Sequence, residues 1–216
     1  MGAAKRVKRE GGANVKGDSL LTRRRADLVE AATDLILRNG FHASSVREIA
    51  NAAGLTQANL YNYVRSKDEV LYLICREAVA GYTSDVLTAL EKEDDPGLRL
   101  ERAVEVMVQS MHRHRKKILI VYRESHSLQP ESRKIIIEIA ASFVTVITEI
   151  VADAQRAGRI PPSDPVIAAN TIIHLATIFA VRGWSLRHSD TAEALQFLPR
   201  FILAGLRGTT TGPCLD

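Results

Sequence analysis

The stretch SSVREIANAAGLTQANLYNYVRSKDEV, residues 44–70, decides how this chain is read. Ser45 followed by Glu48 is a capping box, in which hydroxyl and carboxylate each satisfy an orphan amide of the other residue, so a short helix starts there and runs to about Ala53. Gly54 allows a left-handed turn, and Thr56 caps a second short helix from Gln57 to about Val64, with Leu60 and Val64 facing inward. Ser66 and Glu69 form a second capping box that opens a long helix to about Lys92, whose buried side carries Leu71, Ile74, Ala78, Tyr82 and Leu90. Two short helices joined at Gly54, the second exposing Gln57, Ala58, Asn59, Tyr61 and Tyr63, predict a helix-turn-helix.

The side chains on that second helix suit a nucleic-acid groove. Gln57 and Asn59 carry amides able to bond adenine edges in two places, Ala58 can meet a thymine methyl, and the Tyr61 and Tyr63 hydroxyls can reach phosphate oxygens. Helix N-termini at Ser45, Thr56 and Ser66 offer amides to phosphates, and Lys67 adds a positive charge at the third. Charge is distributed accordingly: residues 1–67 hold 12 Lys/Arg against 6 Asp/Glu, net +6, and the remaining residues hold 17 against 19, net −2. A basic end on a near-neutral body is what counterion release from phosphates rewards.

Upstream, Thr22 caps an expected helix to about Asn39, with Ala26, Val29, Ala32, Leu35 and Ile36 on one face and Gly40 as its stop; residues 1–21 read as a flexible basic arm. Downstream, helices are expected from Asp95–Pro96 to about Arg115, through the apolar run KKILIVYRESHSL, from Glu131 to about Ala157, from Asp164 to about Arg187 and from Thr191 to about Arg207, nine in all, with residues 208–216 as a flexible tail. Sparse aromatics, abundant Ala, Leu and Ile, and prolines at segment boundaries make the fold all-α: a three-helix helix-turn-helix domain over residues 22–66, then a six-helix ligand-binding and dimerisation domain over 67–207. Cys75 and Cys214 lie too far apart in character for a disulfide framework, no zinc spacing occurs, and no window reads as a membrane span or export signal, so a cytoplasmic protein is expected, without cofactor, metal or membrane partner.

Residues 22–72 resemble the N-terminal domain of the TetR-type transcriptional regulators, the elements standing here as AATDLILRNGF, SSVREIANAAG, LTQANLYNYV and RSKDEVL. The resemblance implies phosphate contacts from Ser45, Thr56, Tyr61 and Lys67, and base contacts from Gln57, Ala58, Asn59 and Asn62. The family usually has Phe where this chain has Val64, which predicts looser packing under the recognition helix. Dimers of the family form through the last two helices; here those carry Ala168, Ile172, Leu175, Ala176, Phe179 and Ala180, then Leu195, Leu198, Phe201, Ile202 and Gly205, too apolar for a solitary outer pair. A two-fold homodimer would set two recognition helices in successive major grooves of a palindromic double-stranded operator.

Chemistry for an enzyme is thin. His112 and His114, two apart, point to different faces of a helix, and no His-x-x-x-His, Glu-x-x-His or glycine-rich phosphate loop occurs, so no catalytic residue is assigned. A ligand cavity needs only a few polar anchors, for which Tyr122, Glu124, His126, Phe143, Glu149, Asn170, His174, Thr177 and Arg182 are candidates, each with core or surface packing as its alternative. The distal half is similar to TetR-type repressors of lipid and sterol catabolism that sense acyl-CoA thioesters, at scattered positions including Glu124, Arg156, Gly158, Trp184 and Gly205; Trp184 reads equally as a cover for the dimer contact. The chain is therefore expected to be a repressor whose operator affinity falls on binding a small effector, an acyl-CoA or fatty-acid-like molecule; the alternative is a helical binding protein or enzyme that retains a DNA-binding module.

Overall fold

The computed structural model describes residues 12–208, with side chains from residue 21 onward. Regular structure among the described residues is helical throughout: α1 (Gly12–Asn39), α2 (Val46–Ala52), α3 (Gln57–Leu60), α4 (Lys67–Ala89), α5 (Pro96–Arg113), α6 (Arg115–Glu124), α7 (Pro130–Arg156), α8 (Pro165–Ala176), α9 (Ile178–Val181), α10 (Gly183–Leu186) and α11 (Thr191–Gly208), with a 3₁₀ turn at Ser125–Ser127. They form two compact units, one ending at Leu71 and the other starting at Tyr72. The division falls inside α4, with the fully buried Val70 and Leu71 in the first unit.

In the first unit, α1 begins at Gly12, so Thr22 lies within a helix instead of capping one, and residues 12–21 of the expected arm are helical. No proline interrupts that segment, and a helix once nucleated propagates cheaply backward. Residues 1–11 of the arm and 209–216 of the tail lie outside the described residues. Leu28, Val29, Ala32 and Ile36 bury one face of α1, with Leu28 in the place expected of the exposed Ala26. Gly40, at φ +84°, ends the helix, and Gly54, at φ +67°, makes the turn before α3. α3 stops at Leu60 rather than near Val64. The next amides turn back three residues, Asn62 N–H to Asn59 at 3.2 Å and Tyr63 N–H to Leu60 at 2.9 Å, as suits a Tyr-Asn-Tyr run of low helix propensity. Leu60 and Val64 are buried all the same.

In the second unit, α7 packs against α5 and α8, α11 against α5 and α8, and α6 against α9, around a core that also takes Ala78 and Val86 of α4 and Leu90 just past its end. Asp95 and Asp164 start α5 and α8 as expected, each carboxylate accepting two first-turn amides ahead of an N1 proline. The single helix expected over 164–187 is three pieces. The Thr177 hydroxyl donates to the His174 carbonyl at 2.8 Å, competing with the backbone ladder where α8 ends, and α10 restarts at Gly183. The described residues thus hold eleven helices, not nine. One of them, α7, is long and apolar enough to cross a membrane by length and composition, against the expectation that no segment is. Ile136, Phe143, Ile147, Ile150, Val151 and Ala154 recur along it at helical spacing as one buried stripe, which is the pattern of a core helix.

Candidate nucleic-acid interface and ligand cavity

Local hydrogen bonding sets the geometry of the first unit. The Ser45 hydroxyl accepts the Glu48 amide at 3.2 Å and donates to the Glu48 carboxylate at 2.7 Å, while the Ser45 amide donates to the same oxygen at 2.8 Å. These bonds hold the Glu48 carboxyl below the usual carboxylate range. Thr56 accepts the Asn59 amide at 3.2 Å. At the head of α4, Ser66 accepts the Glu69 amide at 3.0 Å, but the Glu69 carboxylate reaches past Ser66 to the Arg65 amide at 2.6 Å and to the Arg25 guanidinium at 3.0 Å. This cap therefore also ties α4 to α1.

Gln57, Ala58, Asn59, Tyr61 and Asn62 are exposed, Tyr63 is half-buried, and the side-chain amides of Gln57, Asn59 and Asn62 and the hydroxyls of Tyr61 and Tyr63 bond nothing among the described residues. Such a row of unengaged donors and acceptors is what a groove reader presents. Lys67 is different. Its ammonium donates to the carbonyls of Phe41 at 3.1 Å, Ser44 at 3.1 Å and His42 at 3.4 Å, and lies 4.5 Å from the Phe41 ring centre. An ammonium has three protons to donate, and three carbonyls of the turn between α1 and α2 stand within 3.4 Å to accept them.

In the second unit a cavity of about 320 Å³ is walled by α4, α5, α6, α7 and α8. Val79, Met111, Ile118, Val121, Leu128, Ile136, Ile137, Ala140, Phe143, Val144 and Ile173 make it apolar, and Tyr82, Tyr122, Ser125, Arg133 and Thr177 supply its polar groups. Tyr82 stacks edge-on against Phe143 at 5.0 Å, and burial pushes its phenol upward, so it stays a neutral hydroxyl.

Two family models match, that of the bacterial regulatory proteins of the tetR family over residues 28–72 and the tetracyclin repressor-like C-terminal domain over 93–180, so that each unit is recognised separately. The chain belongs to the TetR family. This TetR-family chain is 24% identical over 190 residues to the HTH-type transcriptional regulator HbdR of Aromatoleum sp. (strain CIB), covering 88% of this chain and 78% of that one. It is 29% identical over 148 residues to the HTH-type transcriptional activator FasR of Mycolicibacterium smegmatis, covering 68% and 64%. Its fold matches AibR, solved in complex with isovaleryl coenzyme A and operator DNA, with TM-score 0.73 at 23% identity over 85% of this chain and 98% of that one. The protein is a DNA-binding transcriptional regulator; these relatives are regulators too, and the reading as an enzyme gains nothing from them.

Of the anchors expected from sequence, Tyr122, Phe143 and Thr177 line the cavity and the others do not. Glu124 is buried away from its wall, Glu149 is exposed on α7, Asn170 and His174 are exposed on α8, and the Arg182 guanidinium sits 5.0 Å from the Trp184 ring; His126 lies in the 3₁₀ turn without lining the space. Tyr82, Ser125 and Arg133 were not anticipated, since each reads in sequence as an ordinary helix-face or turn residue. The dimer candidates fall into three groups: Ile172, Ala176, Ala180, Leu198 and Ile202 are buried in the unit's own core, and Ala168, Leu175, Phe179 and Leu195 are half-buried against it. Phe201 and Gly205 face outward, and with Ile167, Ala168, Thr171, Ile172, Leu175, Ile202 and Leu206 they line an apolar groove between α8 and α11.

Proposed function

We propose that the protein is a cytoplasmic repressor that binds a palindromic operator as a homodimer and releases it when an acyl-CoA or fatty-acid-like effector fills the cavity. The cavity carries this reading: a space of about 320 Å³ takes roughly ten groups of the size of a water or methylene, at about 30 Å³ each. Reversing operator occupancy from about 99:1 to 1:99 needs roughly 5.5 kcal/mol of preference for the released state, and about seven buried methylenes at about 0.8 kcal/mol each supply it. The solved relative bound to isovaleryl coenzyme A and operator DNA supports the same class of effector. α4 is the route for coupling, because it starts at Lys67 in the DNA unit and contributes Val79 and Tyr82 to the cavity wall. Gln57, Ala58, Asn59 and Asn62 read bases; Ser45, Thr56, Tyr61 and Tyr63 meet phosphates. The second copy covers the outward side of α8 and α11, where Val166, Ile167, Phe197 and Phe201 are all more than half exposed in the single chain.

The test begins with selection of bound sites from a random DNA pool, followed by titration of the protein–operator complex with acyl-CoAs and free acids of increasing length. A palindromic site should emerge, and release should strengthen with chain length up to about ten carbons. Gln57→Ala or Asn59→Ala should relax preference by about 1–3 kcal/mol at one position per half-site. Ligands that bind without altering operator affinity would remove the effector reading.

A further inference from the structure

The cavity wall carries one permanent charge. Of its sixteen lining residues only Arg133 is ionised at neutral pH, no Asp or Glu lines the space, and the Arg133 guanidinium makes no hydrogen bond or ion pair among the described residues. Its neighbour Lys134 pairs with Glu138 along the same helix. Arg133 also stands in the first turns of α7, just after Pro130, where the helix dipole disfavours a cation. Helix stability thus gives no reason for this residue, and neither does pairing.

We propose that Arg133 is the anion anchor of the effector site, taking the charged end of an amphiphile whose apolar part fills the cavity. The proposal rests on the reading of that cavity as the effector site. Arg133 is exposed while the walls behind it are apolar, so it stands at the rim, with the rest of the cavity suited to an alkyl chain. A planar guanidinium with five donors holds a carboxylate or a phosphate in two-point contact, and the low-dielectric wall strengthens that bond. The anion is either the carboxylate of a free acid, one bond from the chain, or a phosphate of a coenzyme A thioester.

Calorimetric titration of the full chain with octanoate, 1-octanol and octanoyl-CoA separates these sources. Wild type should bind an anionic ligand about 10- to 100-fold more tightly than the alcohol, the range expected of a charge-assisted contact. Arg133→Gln should abolish that advantage and leave octanol affinity and the melting temperature unchanged, and Arg133→Lys should restore part of it. Loss confined to octanoate assigns the carboxylate; loss confined to octanoyl-CoA assigns a phosphate. If Arg133→Gln binds all three as wild type does, the anchor is wrong while the effector site stands. If wild type binds none of the three, the effector site itself fails and the anchor with it.

Discussion

Replacing Lys67 by Met keeps an apolar stem and removes three donors, which makes it a sharp test of what that side chain does. Resemblance assigns Lys67 to a DNA phosphate, whereas in the structure its ammonium is held by the Phe41, His42 and Ser44 carbonyls. A bond from a charged donor is worth about 1.5–3 kcal/mol when well shielded. Lys67 is half-buried and one of its three contacts is long, so about 2 kcal/mol for the whole cradle, including the Phe41 ring, is a reasonable sum. For a chain of this length that corresponds to a fall in Tm of roughly 4–8 °C. A phosphate contact predicts something else: log Kd against log salt should lose a slope of about 0.9. We expect Lys67→Met to lower Tm by that amount in thermal melts and, in binding isotherms at several salt concentrations taken well below Tm, to leave the slope within error of wild type. An unaltered Tm with a slope lower by about one unit would refute the cradle and return Lys67 to the phosphates.

Gly81 in α4 lies where an added Cβ would stand 2.7 Å from the His114 ring, so Gly81→Ala should cost about 1 kcal/mol net, overpacking outweighing the gain in helix propensity, and a second change, His114→Ala, should recover it in urea titrations. His112 and His114 are both held below the usual imidazole range chiefly by burial, with Asp85 opposing at His114, so they are neutral in the folded chain and the unfolded chain takes up protons first. Their contribution to stability is therefore complete above about pH 6.5 and is lost as pH falls below it; the urea midpoint should drop between pH 7 and 5.5, and His112→Phe should flatten that drop, whereas the lowered Glu48 and Asp95 act only in more acid solution.

What could be read from sequence follows the range of the interaction that decides each feature. Ser45, Thr56, Asp95 and Asp164 were legible because a cap is settled within four residues, and Gly40 and Gly54 because positive φ is a property of one. The start of α1 has no local mark, because propagation from a packed segment leaves none, and the end of α8 has none either, because a Thr hydroxyl turned on its own backbone looks like any other Thr. The cavity was barely legible: whether Tyr82, Ser125 or Arg133 meets Phe143 depends on which faces of separate helices converge, and periodicity describes one helix at a time.

The same limit explains the divided fate of the dimer residues. An apolar stripe shows that a helix has something to cover, yet a helix with two stripes does not say which one its own chain covers. On α8 and α11 the structure gives Ile172, Ala176, Leu198 and Ile202 to the internal core and leaves Val166, Ile167, Phe197 and Phe201 outside, with the last two rings stacked 5.6 Å apart. Side chains of that size, all more than half exposed and gathered on the last long helices, form a surface that a stable single chain in water rarely keeps bare. A two-fold axis through it would make the patch its own complement, placing Phe201 and Ile167 of each copy against the groove between α8 and α11 of the other. Phe201→Glu puts two charges on that axis at once, so it should yield monomers in sedimentation while the melt of each chain still reports a folded core, because Phe201 contributes little to it; a dimer that persists would place the interface elsewhere.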